Sequence, residues 1–401
     1  MEQEHISPFP AAAEAILPDL VSLRRAIHRE PEMGLHNPLT RDKVLAALDG
    51  LPIEWRQGPS TTGLIGILKG SANGRTVLLR GDMDALPLTE DTGLDFASAT
   101  PGVMHACGHD SHVAMLVGAA KLLCAARDQL AGTVMFMFQP GEEGHHGARF
   151  MLDDGLIDPL PDAAFALHIM PNAPHGVFSS KAGPLLASSD VLTITVKGAG
   201  GHASMPHDAV DPIPVACAIV TAIQTMVTRR VNVFDPAVVT IARIMAGTTN
   251  NIIPESAELH GTIRTLSPKR RKMVADELRR LAPAIAAAHG CTAGVDIVEG
   301  FPVTINDARA AAFAENVVIE QFGEADWVTM DHPVMGAEDF AYVLEKVPGA
   351  MVWLGASHEG SDWRQCCGLH SNHMVMDDSV MARGAALHAA LATRFLAEGF
   401  G

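Results

Sequence analysis

Short apolar runs alternate with longer helical patterns in the first part of the chain. The runs at 76–80, 133–138 and 163–167 are largely apolar, which is typical of strands buried on both faces of a sheet. Residues 112–126 are apolar around nearly the whole helical circumference and therefore predict a buried helix. This order of elements indicates an α/β domain with a mainly parallel sheet covered by helices. In such sheets, ligands bind just beyond the carboxyl ends of the strands.

The pattern changes near Pro184, where apolar and polar residues begin to alternate. Such alternation is typical of strands with one exposed face, and it occurs in three runs, at 191–197, 237–245 and 257–266. Two helices are predicted beside them, over 214–229 and after Ser267-Pro268, where a capping residue precedes Pro at the first helical position. The second helix contains Pro283, where we expect a kink.

These patterns predict two domains. Residues 1–184 and 300–401 are expected to form the α/β domain, which ends in a helix over 379–397. Residues 185–299 are expected to form a smaller α+β domain inserted into it. The chain contains no internal repeat and no low-complexity tract.

Composition narrows the class of protein. The formal charge of −17 argues against a nucleic acid or an anionic membrane as partner, because both require a positive surface. No apolar stretch is long enough to predict a transmembrane helix, and the acidic start of the chain is unlike a secretory signal, so we expect a cytoplasmic protein. Six cysteines in 401 residues are too few for a disulfide scaffold. The 19 histidines, against one tyrosine, point to metal or proton chemistry.

Side chains that can bind metals occur where strands and the buried helix are predicted to end or begin, and they are Cys107, His109, Glu142, Glu143 and His168. His370 comes some 200 residues later, as a ligand that closes a site from a returning segment would. Thiolate, imidazole and carboxylate together suit zinc, with manganese or cobalt as alternatives that tolerate carboxylates. Taken singly, each of these residues also fits a purely structural role. Two adjacent glutamates after a strand can divide the work, one binding metal and the other handling the proton of a water.

Two other kinds of site are compatible with parts of the sequence. Residues 198–203 fit a loose dinucleotide-binding pattern after a strand, but Pro206 follows too soon for a helix to begin at the second glycine. A cysteine hydrolase with Cys107 as nucleophile is not excluded, although it leaves Glu142, Glu143 and His370 without a role.

Seven short motifs, in order along nearly the whole chain, resemble one family of dinuclear metal amidohydrolases. The motifs are 79–87 (LRGDMDALP), 105–110 (HACGHD), 139–144 (QPGEEG), 200–203 (GGHA), 251–254 (NIIP), 261–265 (GTIRT) and 336–340 (GAEDF). The family includes hippurate hydrolases, N-acyl-amino-acid deacylases and indole-acetyl-amino-acid hydrolases. The resemblance implies a catalytic α/β domain that holds two divalent ions, zinc or manganese or cobalt, and an inserted lid domain through which two subunits form a homodimer.

The resemblance also implies a role for individual residues. The positions that match the family's metal ligands are Cys107, His109, Glu143, His168 and His370, with Cys107 in the bridging place. Glu142 matches the general base, and Asp84 matches a residue that supports the ligands. In the lid, His202 matches the group that polarises the substrate carbonyl. Asn251 and Arg264 fall in motifs that line the carboxylate end of the substrate.

The implied reaction is hydrolysis of the amide between an acyl group and an amino acid, with hippurate-like or N-acetyl-amino-acid substrates. Gly141 replaces a usual alanine, and Asn250 replaces a usual aromatic residue. The segment 371–374 lacks the family's common tyrosine-containing pattern. The last two departures fall near the expected substrate pocket, so they leave acyl specificity open. A metallo-carboxypeptidase or dipeptidase, and a non-catalytic protein that captures acylated amino acids, are the alternative functions.

Overall fold

The computed structural model of the protein describes residues 9–365 and 367–401. These residues divide into two compact units. Unit 1 comprises the chain up to Leu185, Ile305–His332 and Asp339–Gly401, and unit 2 comprises Leu186–Thr304 and Pro333–Glu338. Unit 2 therefore extends past the predicted end at 299 and includes a segment that the sequence pattern assigns to the other domain. Backbone pairing explains the extra segment, because the Ala187 N–H donates to the carbonyls of Val334 and Gly336.

The described chain contains nine α-helices and sixteen strands. The helices are α1 Phe9–Arg29, α2 Pro38–Ala47, α3 His109–Ala125, α4 Gly147–Asp153, α5 Pro212–Arg230, α6 Pro268–Ala288, α7 Ala308–Phe322, α8 Ala341–Leu344 and α9 Val380–Glu398. The strands are β1 Glu54–Gln57, β2 Leu64–Lys69, β3 Arg75–Asp82, β4 Gly132–Gln139, β5 Ala163–Met170, β6 Phe178–Ser180, β7 Gly183–Leu186, β8 Asp190–Lys197, β9 Gly201–His202, β10 Ala237–Ala246, β11 Ile252–Ile253, β12 Ser256–Thr265, β13 Thr292–Glu299, β14 Thr304–Asn306, β15 Trp327–Thr329 and β16 Gly349–Gly355.

Unit 1 is built on an eight-stranded sheet with the order β1-β2-β4-β3-β5-β16-β6-β15. Its centre is parallel, because β3 pairs in parallel with both β4 and β5, and β5 pairs in parallel with β16. The antiparallel pairs lie towards the edges, between β1 and β2, β2 and β4, and β6 and β16. The predicted α/β class with a mainly parallel sheet is therefore confirmed.

The central strands and two helices form the core of unit 1. Fourteen of the seventeen residues of α3 are buried, which explains why this helix is apolar on nearly every side. The last helix, α9, is buried over most of its length and shares the same apolar cluster, which also includes Phe136 and Phe165 from the sheet. Burial on both faces gives the central strands their continuous apolar sequence.

Unit 2 contains a four-stranded antiparallel sheet with the order β10-β12-β8-β13. One face of this sheet packs against α5 and α6, with Leu192, Ile194 and Leu259 in the shared core. Helix α6 begins as predicted, because the Ser267 hydroxyl accepts the backbone N–H of Arg270 and Pro268 occupies the first turn. The helix continues through Pro283.

One helix of the described residues, α5, is long and apolar enough to cross a membrane by length and composition alone. A third of its most apolar window is buried. The buried residues include Val215, Ile219 and Ile223, which belong to the core of unit 2. An apolar helix face of this kind is what a domain core requires of an adjacent helix.

Candidate metal centre

The carboxyl ends of three adjacent parallel strands bring most of the candidate ligands together in unit 1. Strand β3 ends two residues before Asp84, β4 ends three residues before Glu142, and His168 lies near the end of β5. Helix α3 begins at His109 and runs back along the sheet. His370 arrives from a distant part of the chain, and its backbone N–H donates to the carbonyl of Ala106 at 2.8 Å.

Among the sets of side chains that could hold an ion, two share Cys107. The first contains Cys107, His109 and His168, and the second contains Cys107, Glu143 and His370. Within each set the potential ligand atoms lie within 4.8 Å of one another. Cys107 Sγ is 3.4 Å from His168 Nε2, and His370 Nε2 is 3.3 Å from Glu143 Oε1. Cys107 belongs to both of these sets.

The hydrogen bonds of two histidines direct their Nε2 lone pairs into this site. The Nδ1 of His109 lies 2.8 Å from the backbone carbonyl of Asp84, and the Nδ1 of His168 lies 2.7 Å from the carbonyl of Ile169. A carbonyl can only accept, so both Nδ1 atoms carry the proton and both Nε2 atoms are free to bind a metal. Among the residues that the structure describes, the buried His109 Nε2 has no hydrogen-bond partner. The donor set therefore fits divalent cations.

Burial and close neighbours shift the titration of these groups. Burial raises the pKa of the Cys107 thiol, and it holds the pKa of His168 well below the usual value. Burial alone would raise the pKa of Glu143, but hydrogen bonding to His370 and the charge of His109 lower it. Hydrogen bonds to Cys107 and Glu143 raise the pKa of His370 to about 10. On Cys107, the charge of His109 and hydrogen bonds to His109 and His370 oppose the effect of burial, so the pKa of the thiol rises less than burial alone would raise it.

The loop that carries the two glutamates is fixed by backbone hydrogen bonds. The carboxylate of Asp84 accepts the N–H of Glu142 at 2.9 Å and the N–H of Glu143 at 3.0 Å. Gly147 closes the loop so tightly that a Cβ there would lie 1.6 Å from the carbonyl oxygen of Pro140. Glu142 is buried, and its carboxylate lies within the same 4.8 Å limit of the Glu143 carboxylate and a ring nitrogen of His109.

A buried polar network beneath these ligands was missed by the reasoning from sequence. Arg80 binds Asp82 at 2.5 Å and Asp339 at 3.3 Å, and all three side chains are fully buried. The carboxylate of Asp82 accepts a hydrogen bond from Nδ1 of His112. Nε2 of the same histidine accepts the backbone N–H of Ile169, the residue after His168. Asp82 Oδ2 also lies 3.4 Å from His109 Nε2. Asp82 and Asp339 fall within motifs quoted from the sequence, which was the signal that could have found them.

The remaining predicted residues lie in unit 2. His202 is exposed on β9, which pairs with β11, and the carbonyl of Asn251 accepts the N–H of Ala203. The backbone N–H of Ser204 donates to His202 Nδ1 at 3.1 Å, and the Ser204 hydroxyl lies 2.8 Å from the same atom. Because a backbone N–H can only donate, Nδ1 is the acceptor and the neutral ring carries its proton on Nε2. His202 therefore offers an N–H donor on Nε2.

Arg264 lies at the opposite end of the sheet from His202. Strand β12 pairs with β8 from Ser256, opposite Lys197, to Ile263, opposite Asp190. His202 follows Lys197, and the chain stays at that end because the Gly198 N–H donates to the carbonyl of Glu255. At about 3.3 Å per residue, Arg264 is roughly 25 Å from the end marked by Ser256. Within unit 2, these two side chains are too far apart to contact one small molecule.

The fold and the site together define a metal-dependent hydrolase. Two ligand sets that share a thiol, next to a buried glutamate at the carboxyl edge of a parallel sheet, are suited to activating water between two cations. The chain belongs to peptidase family M20/M25/M40, whose sequence profile matches residues 78–394. It is accordingly an enzyme of the M20 hydrolase family, and its ligand sets support two divalent metal ions.

Relatives of this chain are named as carboxypeptidases, deacetylases and amino acid hydrolases. Thermostable carboxypeptidase 1 of Saccharolobus solfataricus is 38% identical over 94% of this chain and 95% of its own length. N-acetylcysteine deacetylase of Bacillus subtilis is 39% identical over 84% of this chain and 88% of its own. The crystal structure of the Bacillus subtilis YXEP protein, described as a dinuclear metal-binding peptidase from the M20 family, matches with a TM-score of 0.85 and 34% identity over 96% of this chain and 99% of its own. An M20 amidohydrolase or peptidase is therefore the shared class.

Proposed function

We propose that this enzyme hydrolyses the amide that joins an acyl group to an amino acid, as in N-acetyl amino acids or hippurate. The observation that carries the proposal is the pair of ligand sets that share Cys107 beside the buried carboxylate of Glu142. The similarity to an N-acetylcysteine deacetylase supports this substrate class. The particular acyl group and amino acid are the finer part of the proposal.

Cys107, His109 and His168 would hold one cation, and Cys107, Glu143 and His370 would hold the other. The mixture of sulfur, nitrogen and oxygen donors suits zinc, with manganese or cobalt as alternatives. Two bound cations would supply a Lewis acid for the scissile carbonyl and would lower the pKa of a water towards about 7. The backbone bonds that fix both histidine rings support such a centre, because ligands held in place need no reorganisation to bind.

Glu142 and His202 would perform the proton transfer and the stabilisation of charge. Glu142 would accept the proton of the attacking water and deliver it to the nitrogen of the leaving amine. The Nε2–H of His202 would donate to the carbonyl oxygen as negative charge develops on it. The hydrogen bonds from Ser204 support this role, since they leave the donor proton on the outward-facing nitrogen.

Arg264 would bind the free carboxylate of the amino-acid half, and Asn251, which lies beside His202 at the other end of the sheet, would line this part of the substrate from the other subunit. A guanidinium suits this task because it can donate two parallel hydrogen bonds to a planar carboxylate. The distance between Arg264 and His202 along unit 2 supports a composite site, in which one of these residues comes from a second copy of the chain in a symmetric homodimer. A cytoplasmic location remains a prediction from sequence.

A metallo-carboxypeptidase is the second candidate function, because the carboxypeptidase of Saccharolobus solfataricus is similar over 94% of this chain. Parallel assays with acylated amino acids and with dipeptides, on enzyme loaded separately with zinc, manganese or cobalt, distinguish the two functions. We expect higher kcat/KM for hippurate or N-acetyl amino acids than for the matching dipeptides. A higher value for dipeptides with every metal would contradict the proposal.

A mixing experiment tests whether His202 acts across the dimer. Glu142→Gln and His202→Ala chains, each nearly inactive alone, are dissociated, mixed in equal amounts and allowed to reassociate. Random pairing makes about half of the dimers mixed, and one of their two sites then has both residues intact, so activity should return to about a quarter of wild type. If mixed dimers form without recovering activity, His202 does not act from the partner subunit.

A further inference from the structure

Arg264 is a half-buried cation without an ion-pair partner. Among the residues that the structure describes, none forms a hydrogen bond or salt bridge with its guanidinium. The nearby carboxylate of Asp190 attracts the Arg264 guanidinium electrostatically. Both oxygens of Asp190, however, already bind Arg271 at 2.5 to 3.1 Å. Burial lowers the pKa of Arg264 even so. Because partly buried charges are normally paired, we expect Arg264 to bind an anion from outside the chain.

Apolar side chains surround Arg264 on the sheet face that points away from the helices of unit 2. Val238 is paired directly with Arg264, and Val191 is paired with both Thr262 and Val298. Direct partners in an antiparallel pair point to the same face, with Cβ atoms about 5 Å apart. Val238, Val191 and Val298 are 41%, 56% and 57% exposed.

The same face is mostly polar farther from Arg264. Its side chains there include Thr193, Thr195, Glu258, His260 and Asp296, together with Arg243 and Met245 of β10, which pair with His260 and Glu258. A strand face turned to water is normally polar along its whole length. The three exposed valines form an apolar group at the end of the sheet where the unpaired guanidinium lies, whereas Met245 is a single apolar side chain at the other end. Exposed apolar residues grouped beside a charged group are typical of a ligand-binding surface.

We propose that this face binds the amino-acid half of the substrate, with its carboxylate on Arg264 and an aliphatic side chain against Val238 and Val191. This inference rests on the proposed function and adds the class of amino acid. Branched aliphatic side chains such as that of leucine remove the valines from water, whereas glycine leaves them exposed. A lysine side chain would bring a like charge close to Arg264, and an aspartate side chain would lose its hydration against the valines.

The test is a panel of N-acetyl amino acids that differ only in the side chain, assayed with the full-length metal-loaded enzyme. We expect kcat/KM for N-acetyl-leucine to exceed that for N-acetyl-glycine by about 10-fold or more, the discrimination that one or two buried methylenes provide. Val238→Thr keeps the shape of the side chain and adds a hydroxyl. It should lower kcat/KM for the leucine substrate several-fold and leave the glycine substrate unchanged.

Two further variants make the result specific. Val191→Thr, on a different strand, should act in the same direction as Val238→Thr. Val328→Thr is the matched control, because Val328 is also a strand valine, is 51% exposed and lies in unit 1. Equal hydrolysis of the leucine and glycine substrates by wild type, or an equal loss for both substrates in Val238→Thr, would overturn the inference. Failure of wild type to hydrolyse any N-acetyl amino acid would overturn the proposed function and this inference with it.

Discussion

Replacing Asp339 by asparagine tests whether the buried network of unit 1 holds the site together. The donors to the carboxylate of Asp339 include Gln139 Nε2 at 2.7 Å, Arg80 Nη2 at 3.3 Å and the backbone N–H of Ala148 at 2.9 Å. The first two act on one oxygen and the third on the other. Asparagine has nearly the same shape but only one accepting oxygen.

The expected loss of stability follows from these contacts. If the amide oxygen of asparagine replaces the oxygen that faces Arg80 and Gln139, its NH₂ group points at the N–H of Ala148. A buried N–H left without an acceptor costs about 1–3 kcal/mol, and losing the charge on a hydrogen bond to arginine costs about 1.5–3 kcal/mol. Arg80 keeps Asp82 as a partner. We therefore expect the free energy of unfolding of unit 1 to fall by about 3–5 kcal/mol, the range for a broken buried ion pair.

Tryptophan fluorescence during urea unfolding measures this loss in the relevant unit. All four tryptophans of the chain, Trp55, Trp327, Trp353 and Trp363, belong to unit 1, so the signal does not report on unit 2. The control is Asp276→Asn, which removes an exposed salt bridge to Lys272 on α6 and should cost no more than about 0.5 kcal/mol. A loss in Asp339→Asn as small as in this control would refute the reasoning.

Three further predictions concern the site and its surroundings. Glu142→Gln should lower kcat at least about 100-fold with metal content retained, because glutamine cannot accept the proton, and an unchanged kcat would exclude Glu142 as the base. Cys107→Ala should lower metal content in elemental analysis because both ligand sets lose a member, whereas the exposed Cys217→Ala should not. Burial lowers the pKa of His28, but the neighbouring Asp110 carboxylate outweighs burial and raises this pKa above 6.5. Protonated His28 therefore stabilises the folded protein fully below about pH 6.5, and this stabilisation is lost as the pH rises through the raised pKa. The difference in Tm between wild type and His28→Gln should therefore shrink from about pH 6 to about pH 9; a constant or growing difference would contradict this.

The sequence pattern predicted the elements that carry the ligands because those elements are buried or capped in regular ways. The three central strands, the buried α3 and the cap at Ser267 all follow from local periodicity or from a single residue type at a helix start. Glu142 and His168 could be assigned to strand ends for the same reason. The roles of these residues are still predictions, which the metal analysis and the Glu142→Gln variant test.

Local pattern could not predict what depends on distant parts of the chain. His370 reaches Cys107 only because β16 adds to the sheet beside β5 and the following chain returns to the carbonyl of Ala106. His370 also adopts a left-handed backbone conformation, with φ of 63°, that its sequence does not signal. The burial of Arg80 is similar, because a charged residue within an apolar strand indicates a strand end unless its partners are known.

The two units place their functional side chains in opposite environments, and this division fits the chemistry proposed for them. In unit 1, the ligand atoms are mostly buried, and hydrogen bonds to backbone carbonyls fix the rings of His109 and His168. Ligands in such surroundings meet a cation without reorganising, and the low dielectric strengthens their interaction with charge. In unit 2, His202 is exposed at one end of a sheet and Arg264 is half-buried and unpaired among the described residues at the other. Side chains that recognise a substrate must remain open to it until it binds. An arginine whose neighbouring carboxylate is already bound by Arg271 therefore keeps its full capacity for a substrate anion.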